Sequence, residues 1–262
     1  MTQIIAIANE KGGVGKTTST VNIGAALAAL GKRVLLVDLD QQANLSDYLG
    51  YEPKSDSSTI SDALYFKASG YAVDYQHLIC RSKESIDFIP ASKMLASITS
   101  VLGTVSNSQQ VLSELLKDEH IKENYDYVLI DCRPSLDLLV VNAFAASTGV
   151  IIPVQAEKFS LDAVSSTIDT FNRARTLNHD LQLVGLLVTM VDKRTTMSKA
   201  VEKALRNNYD NVFTTVIPRL AEAAISTYEQ RSLVSLSHSR LGSAYTSVAN
   251  ELIDICERNN KQ

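Results

Sequence analysis

The sequence predicts a doubly wound α/β fold, a mostly parallel sheet flanked by helices. Three observations predict it. Short apolar runs rich in β-branched residues recur at 4–8, 34–37, 86–89, 127–130, 150–154, 183–190 and 212–217. Each is apolar throughout rather than alternating, which suits strands buried on both faces, as in parallel sheets. Between them lie helix-patterned segments at 16–30, 108–117, 136–146, 160–177, 197–207 and 241–258. No internal repeat, low-complexity tract or interdomain linker interrupts the alternation, so residues 1–262 read as one domain. Residues 52–61, with Pro53, Lys54 and several serines, read as a surface loop.

Composition narrows the classes. The 262 residues are 45% hydrophobic and 21% charged, enough to bury a full core without staples. No run of about 18 apolar residues exists, so no transmembrane helix is expected. The N-terminus lacks the basic region of a secretion signal. Cys80, Cys132 and Cys256 lie far apart in no metal or CxxC spacing, so reduced thiols in a cytoplasmic protein are expected. The net charge is −4, but residues 170–262 carry 12 Lys/Arg against 9 Asp/Glu, leaving 13 against 20 elsewhere. A mildly basic face can hold nucleic-acid phosphates weakly or can simply be solvated. On charge alone the solvated reading is preferred.

Taken in chain order, the first strand at 4–8 is followed at once by Lys11-Gly12-Gly13-Val14-Gly15-Lys16-Thr17-Thr18, which opens the helix at 16–30. Glycines let successive backbone N–H groups curl towards phosphate oxygens, and the helix N-terminus adds partial positive charge. Lys16 can reach the β- and γ-phosphates of a nucleotide, and the Thr17 hydroxyl suits Mg²⁺. The general phosphate-loop pattern would place a glycine at position 10, where Glu10 stands; instead Lys11 precedes Gly12-Gly13.

The second strand, 34–37, runs into Asp38 and Asp40. Two apart on an extended chain, these acids point the same way, at the carboxyl end of a strand where parallel sheets place ligand sites. One can orient an attacking water while the other holds the water shell of Mg²⁺; capping acids after a strand are the alternative. The strand at 127–130 ends in Asp131-Cys132-Arg133-Pro134-Ser135. Apolar residues followed by an acid fit a cation-holding carboxylate, so Asp131 is a third metal candidate, acting through water. Two readings of Arg133 stay open, a contact to phosphate or partner chain and a plain surface residue.

Lys11-Gly12-Gly13-Val14-Gly15-Lys16-Thr17 resembles the deviant Walker A loop shared by ParA/Soj partition ATPases, MinD, the nitrogenase iron protein and arsenite-pump ATPases. Within that class the chain resembles ParA/Soj over nearly its whole length. Phe88-Ile-Pro-Ala-Ser92, Val150-Ile-Ile-Pro-Val-Gln155, Gly185-Leu-Leu-Val-Thr-Met190-Val-Asp192-Lys-Arg194-Thr and Val216-Ile-Pro218-Arg219 carry the likeness, in the family's order. The contexts of Cys80 and Cys132 do not match cluster ligands, and the polar end at 251–262 is not a basic membrane helix. With the first strand at the N-terminus, the chain resembles the short form without a helix-turn-helix domain.

The resemblance implies an ATPase using ATP and Mg²⁺, a homodimer when ATP-bound, non-specific double-stranded DNA binding, and hydrolysis stimulated by a ParB-like partner. It implies that Lys11 reaches the partner protomer's nucleotide, that Asp40 positions the hydrolytic water, and that Pro218 and Leu220 pack near the adenine. Gln41 and Ala43 stand where the family has proline and glycine, which bears on switch-loop geometry. Candidate DNA contacts are Lys193, Arg194, Lys199, Lys203, Arg206, Arg219, Arg231 and Arg240, with Lys199, Lys203 and Arg206 on one helical face. Glu222 stands where relatives carry a second DNA arginine. Nucleotide-dependent positioning through protein partners, with little DNA binding, is the alternative function.

Overall fold

The computed structural model describes residues 1–157 and 160–259. In chain order these form β1 (Gln3–Ile7), α1 (Lys16–Ala29), β2 (Val34–Leu39), α2 (Asn44–Tyr48), α3 (Ile60–Ala68), α4 (Tyr75–Leu78), β3 (Cys80–Arg81), β4 (Asp87–Ile89), α5 (Leu95–Leu102), α6 (Val111–Leu116), α7 (Glu119–Asn124), β5 (Tyr127–Cys132), α8 (Leu138–Ala146), β6 (Gly149–Gln155), α9 (Ser160–Ala174), β7 (Gln182–Thr189), α10 (Thr196–Asn208), α11 (Glu222–Tyr228), a 3₁₀ turn (Leu233–Ser235) and α12 (Arg240–Asn259). Of the polar end at 251–262, residues 260–262 lie outside the described residues.

The strands form one sheet in the order β3-β4-β2-β5-β1-β6-β7. Every pairing is parallel except the two-residue edge pairing of β3 with β4. The period of two along each strand sorts side chains onto two faces. Ile4, Ala6, Leu35, Val37, Val128 and Ile130 join the core beneath α3, α5, α6 and α8. Ile5, Ile7, Val34, Leu36, Tyr127 and Leu129 join the core beneath α1 and α12. Burial of such side chains stabilises the fold by roughly 1.5–3 kcal/mol each. Gly24 lets α1 lie close to β2, since a Cβ there would meet Leu36 Cδ2 at 2.6 Å.

The chain adds α2, α4, β3, α5, α7 and α11, which the sequence reading does not predict, and departs from that reading in two predicted segments. The run at 212–217 is not a strand. It forms isolated bridges at Leu186–Val212 and Val191–Pro218, with the Phe213 and Ile217 amides donating to the Leu186 and Val188 carbonyls (3.0 and 2.8 Å), but no continuous ladder. Between them the amides of Thr214 and Thr215 turn instead to the Glu251 carboxylate on α12, at 2.7 and 2.9 Å. The second departure is at 52–61, whose end is the start of α3 rather than loop. Thr59 and Asp62 form a reciprocal capping box, and Ile60 and Ser61 are buried. The remaining predicted strands and helices all form, with ends shifted by up to three residues.

Candidate nucleotide and cation site

The loop between β1 and α1 is built by residues on three strands. Buried Asn9 donates from its amide nitrogen to the Pro153 carbonyl on β6 (2.8 Å) and accepts from the Lys11 amide (2.9 Å). The Thr189 hydroxyl, at the end of β7, donates to the Val14 carbonyl (2.8 Å). Gly13 and Gly15 have φ of 72° and 89°, where any side chain would be strained. Gly15 is the N-cap of α1 and brings no side-chain cap, so the first-turn amides are left facing the loop. Lys16 is buried, and its ammonium donates to the carbonyls of Asn9 and Lys11, both at 3.0 Å. Burial pulls its pKa below the ordinary lysine value, against the opposing pull of Asp131.

The acids converge on the same end of the sheet. Asp38 on β2 is the register partner of Asp131 on β5, and both are buried. Asp131 accepts the Thr17 hydroxyl at 2.6 Å. Asp38 accepts both the amide (2.9 Å) and the hydroxyl (2.7 Å) of Ser46 on α2, and the Asp40 amide at 3.1 Å. Burial pushes the Asp131 carboxyl up to about 8, and the charge of Asp38 adds to the push. Burial also raises Asp38, while the Ser46 hydrogen bonds hold it down. Half-buried Asp40 accepts the Gln42 amide at 3.0 Å.

Two dehydrated carboxylates aimed at one place beside a hydroxyl are costly unless a cation joins them. Their oxygens are the hard donors that suit Mg²⁺, which uses one or two carboxylates together with phosphate oxygens. The residues present fit that role. Among the described residues no cluster of three His, Cys, Asp or Glu could hold a metal.

Pro218 and Leu220 are half-buried. Pro218 bridges Val191, and the Arg219 amide donates to the Val191 carbonyl at 3.0 Å. This places the segment beside the end of β7, where Met190 lies 3.8 Å from the Cβ position of Gly15. The predicted phosphate, cation and base residues therefore share one end of the sheet. A cavity of about 760 Å³ lies at the other end, between Thr2, Arg33, Tyr125 and Thr148.

Other predicted residues are engaged within the chain. Half-buried Lys11 pairs with Glu157 after β6, at 3.4 Å. Arg133 pairs with Asp137 (3.2 Å), which caps α8 by accepting the Leu139 amide, so this arginine belongs to a local ion pair. The seven basic DNA candidates from Lys193 to Arg231, and Arg240, are exposed. Lys199, Lys203 and Arg206 do share α10. Arg194 forks onto Asp192 (2.9 and 2.8 Å), and Arg206 holds Glu202 (3.0 Å) and the Thr214 carbonyl (3.3 Å). Glu222 serves architecture, accepting the Ser239 hydroxyl (2.6 Å) and the Leu241 amide at the start of α12. Asn9, Ser46, Glu157 and Thr189 were not singled out from sequence. The visible signal was a polar residue, Asn9, directly after a buried strand.

The chain matches the AAA domain family over residues 2–183. It is 42% identical to the sporulation initiation inhibitor protein Soj of Bacillus subtilis, covering 88% of this chain and 93% of that one. It is 39% identical to the chromosome partitioning protein ParA of Caulobacter vibrioides (83% and 80% covered) and 43% identical to the chromosome-partitioning ATPase Soj of Thermus thermophilus (84% and 83%). Among solved structures, cobyrinic acid a,c-diamide synthase of Mycobacterium smegmatis with bound ATP analogue and magnesium superposes with TM-score 0.83 at 32% identity (98% and 96% covered). The septum site-determining protein MinD of Pyrococcus horikoshii, complexed with Mg-ADP, superposes with TM-score 0.77 at 25% identity (98% of each chain).

Proposed function

The chain belongs to the ParA/Soj family of partition ATPases, and from that premise we propose that it moves or segregates DNA by a cycle of ATP binding, dimerisation and hydrolysis. The observation that carries the reading is the convergence of Lys16, Thr17, Asp38 and Asp131 at one end of β1, β2 and β5. The loop amides and Lys16 hold the β- and γ-phosphates of ATP. Thr17, with Asp38 and Asp131 through water, holds Mg²⁺, which neutralises phosphate charge when bound. Asp40, half-buried just past the end of β2, orients water for attack on the γ-phosphorus. Lys11 leaves Glu157 for the partner protomer's phosphates; an exposed ion pair of this kind holds it by only about 0–1 kcal/mol. The ATP dimer joins two basic faces carrying Lys193, Lys199, Lys203, Arg219 and Arg231, and so binds double-stranded DNA without sequence preference. A ParB-like partner stimulates hydrolysis and release.

A second reading keeps the ATPase and dimer but gives the output to a protein scaffold. It is favoured by the pairing of Arg194 with Asp192, of Arg206 with Glu202, and by the architectural role of Glu222. One experiment separates the two. DNA binding is measured with ATP, ADP and no nucleotide over a salt series, alongside the dimer fraction. ATP-specific dimers whose DNA affinity falls steeply with salt are expected. Dimers without DNA binding would overturn the DNA reading and leave the scaffold reading. The synthase named among the structural neighbours shares the nucleotide-binding fold, while the partition relatives are closer in sequence.

A further inference from the structure

We propose that α2 is a relay between the cation-facing acids and the Arg231 segment, with Tyr48 as the positioning residue at its hub. The proposal rests on the nucleotide site argued above. The middle and the end of this short helix are fixed by buried hydrogen bonds. In the middle Ser46 gives its amide and hydroxyl to Asp38, and its oxygen accepts the Ala91 amide at 2.9 Å. At the C-terminal end the Tyr48 hydroxyl meets Asn22 of α1 (3.3 Å) and hydrogen-bonds Ser226 of α11.

The donors and acceptors fix the direction of this chain. The Ser226 hydroxyl has one proton and gives it to the Arg231 carbonyl at 2.6 Å. Tyr48 must therefore donate to Ser226 and accept from an Asn22 amide proton. The other Asn22 proton goes to the Thr18 carbonyl in the first turn of α1 (2.8 Å), and Asn22 Oδ1 accepts the Leu233 amide (2.7 Å). Tyr48, Asn22 and Ser226 are buried. A chain of satisfied polar groups thus runs from the Thr18 carbonyl beside the phosphate loop through Asn22, Tyr48 and Ser226 to the backbone that carries Arg231, and Asp38 joins it through Ser46, two residues before Tyr48 in α2. Gln230 adds a parallel tie, donating to the Asp47 carbonyl at 2.9 Å. In a low-dielectric interior such a network has few alternative arrangements, because each broken link strands a buried polar group. α2 is also entered through Ala43 at φ 54°, a conformation an alanine holds only under constraint. Displacement of the Asp38–Asp40 segment is therefore passed to residues 226–233 rather than absorbed by the loop.

The test compares the wild-type chain with Tyr48→Phe, which removes one oxygen and keeps the ring, and with Ser226→Ala. Nucleotide affinity is measured by titration with a fluorescent ATP analogue, and amide hydrogen exchange of residues 222–236 is measured with Mg-ADP and with a non-hydrolysable Mg-ATP analogue. In the wild type the two nucleotides give different protection over 226–233. In both variants the ratio between the two states falls about fivefold, the scale of one buried hydrogen bond, while ATP affinity stays within about twofold. A wild type with identical protection in both states overturns the relay and leaves the ATPase reading intact. Variants that keep the wild-type ratio, or that lose ATP affinity in proportion, also overturn it. A wild type that fails to bind ATP overturns the nucleotide site itself, and the relay with it.

Discussion

Asp131→Asn should stabilise the nucleotide-free protein and disable it with Mg-ATP. Asp131 is buried at the register position opposite Asp38, which is also buried. An unfolded-chain aspartate titrates near 3.9, whereas burial followed by the Asp38 charge lifts the folded carboxyl to about 8. The native state therefore holds a proton that the unfolded chain has released. Stability from this group is fully present below about pH 4 and is lost as pH rises towards about 8, at up to about 1.4 kcal/mol per pH unit. By pH 7 the loss is about 4 kcal/mol. Asparagine keeps the shape and still accepts from Thr17, but has no charge to lose. Its extra N–H must find an acceptor in a crowded site, which offsets about half the gain, leaving about 2 kcal/mol, or roughly 4–8 °C in Tm for a chain of this size. Urea and thermal unfolding without Mg²⁺ or nucleotide, from pH 5 to 8, measure it. The variant's advantage should grow with pH. With Mg-ATP present the order should reverse, because only the wild type gains stability from the bound cation. A variant less stable than wild type at pH 7.5 without ligands, or an advantage that does not change with pH, would refute the electrostatic reasoning.

Three further substitutions test separate parts of the site. Lys16→Ala removes the cation lying across the loop and should weaken ATP binding at least about 100-fold, given charge-assisted bonds to two phosphates; normal affinity by equilibrium titration would contradict the assignment. Gly12→Val should leave stability within about 0.5 kcal/mol, since a Cβ there has nothing within 4 Å in its own chain. It should nevertheless abolish ATP-dependent dimerisation, because a valine side chain on this exposed glycine beside Lys11 would stand between the protomers that Lys11 is proposed to bridge; unchanged dimers by light scattering would refute this. Ala43→Gly relieves a left-handed alanine worth about 1–2 kcal/mol at an entropic cost of about 0.4–1 kcal/mol. The net is a gain of about 0.5–1 kcal/mol in unfolding free energy, and a loss of stability would show that Ala43 is not strained.

The parallel strands were legible because they are buried on both faces and appear in the sequence as apolar runs, whereas the two-residue edge strand β3, Cys80–Arg81, carries no such run. The same signal misled at 212–217. Val212-Phe213 and Val216-Ile217 have strand composition, but composition does not reveal that Glu251, more than thirty residues later, takes the amides between them. The short helices α2, α4, α5, α7 and α11 are not visible in the sequence because four to eight residues hold too few turns to show a period. α3 was visible in principle, through Thr59 and Asp62 at capping-box spacing, but the serines and Pro53 before it masked the signal.

The site divides along the same line. Lys16, Thr17, Asp38 and Asp131 stand at strand ends or helix starts, where chain direction alone fixes position, and the fold brings them together as their sequence context implies. The residues that orient them come from elsewhere in the chain: Asn9 reaches β6, Thr189 pins the loop from β7, Ser46 clamps Asp38, and Asn22 ties the first turn of α1 to residue 233. Each does so through a single polar side chain at a buried position, and a lone Asn or Ser in a sequence carries no record of its distant partner. Departures from the family pattern follow suit. Ala43 keeps the backbone turn that glycine would give, and Arg133 is neutralised by Asp137 four residues on. Glu222 exchanges a basic surface residue for an anchor on α12. In the proposed DNA reading the basic face is therefore left to Lys193, Lys199, Lys203, Arg219, Arg231 and Arg240, exposed cations with no ion pair among the described residues.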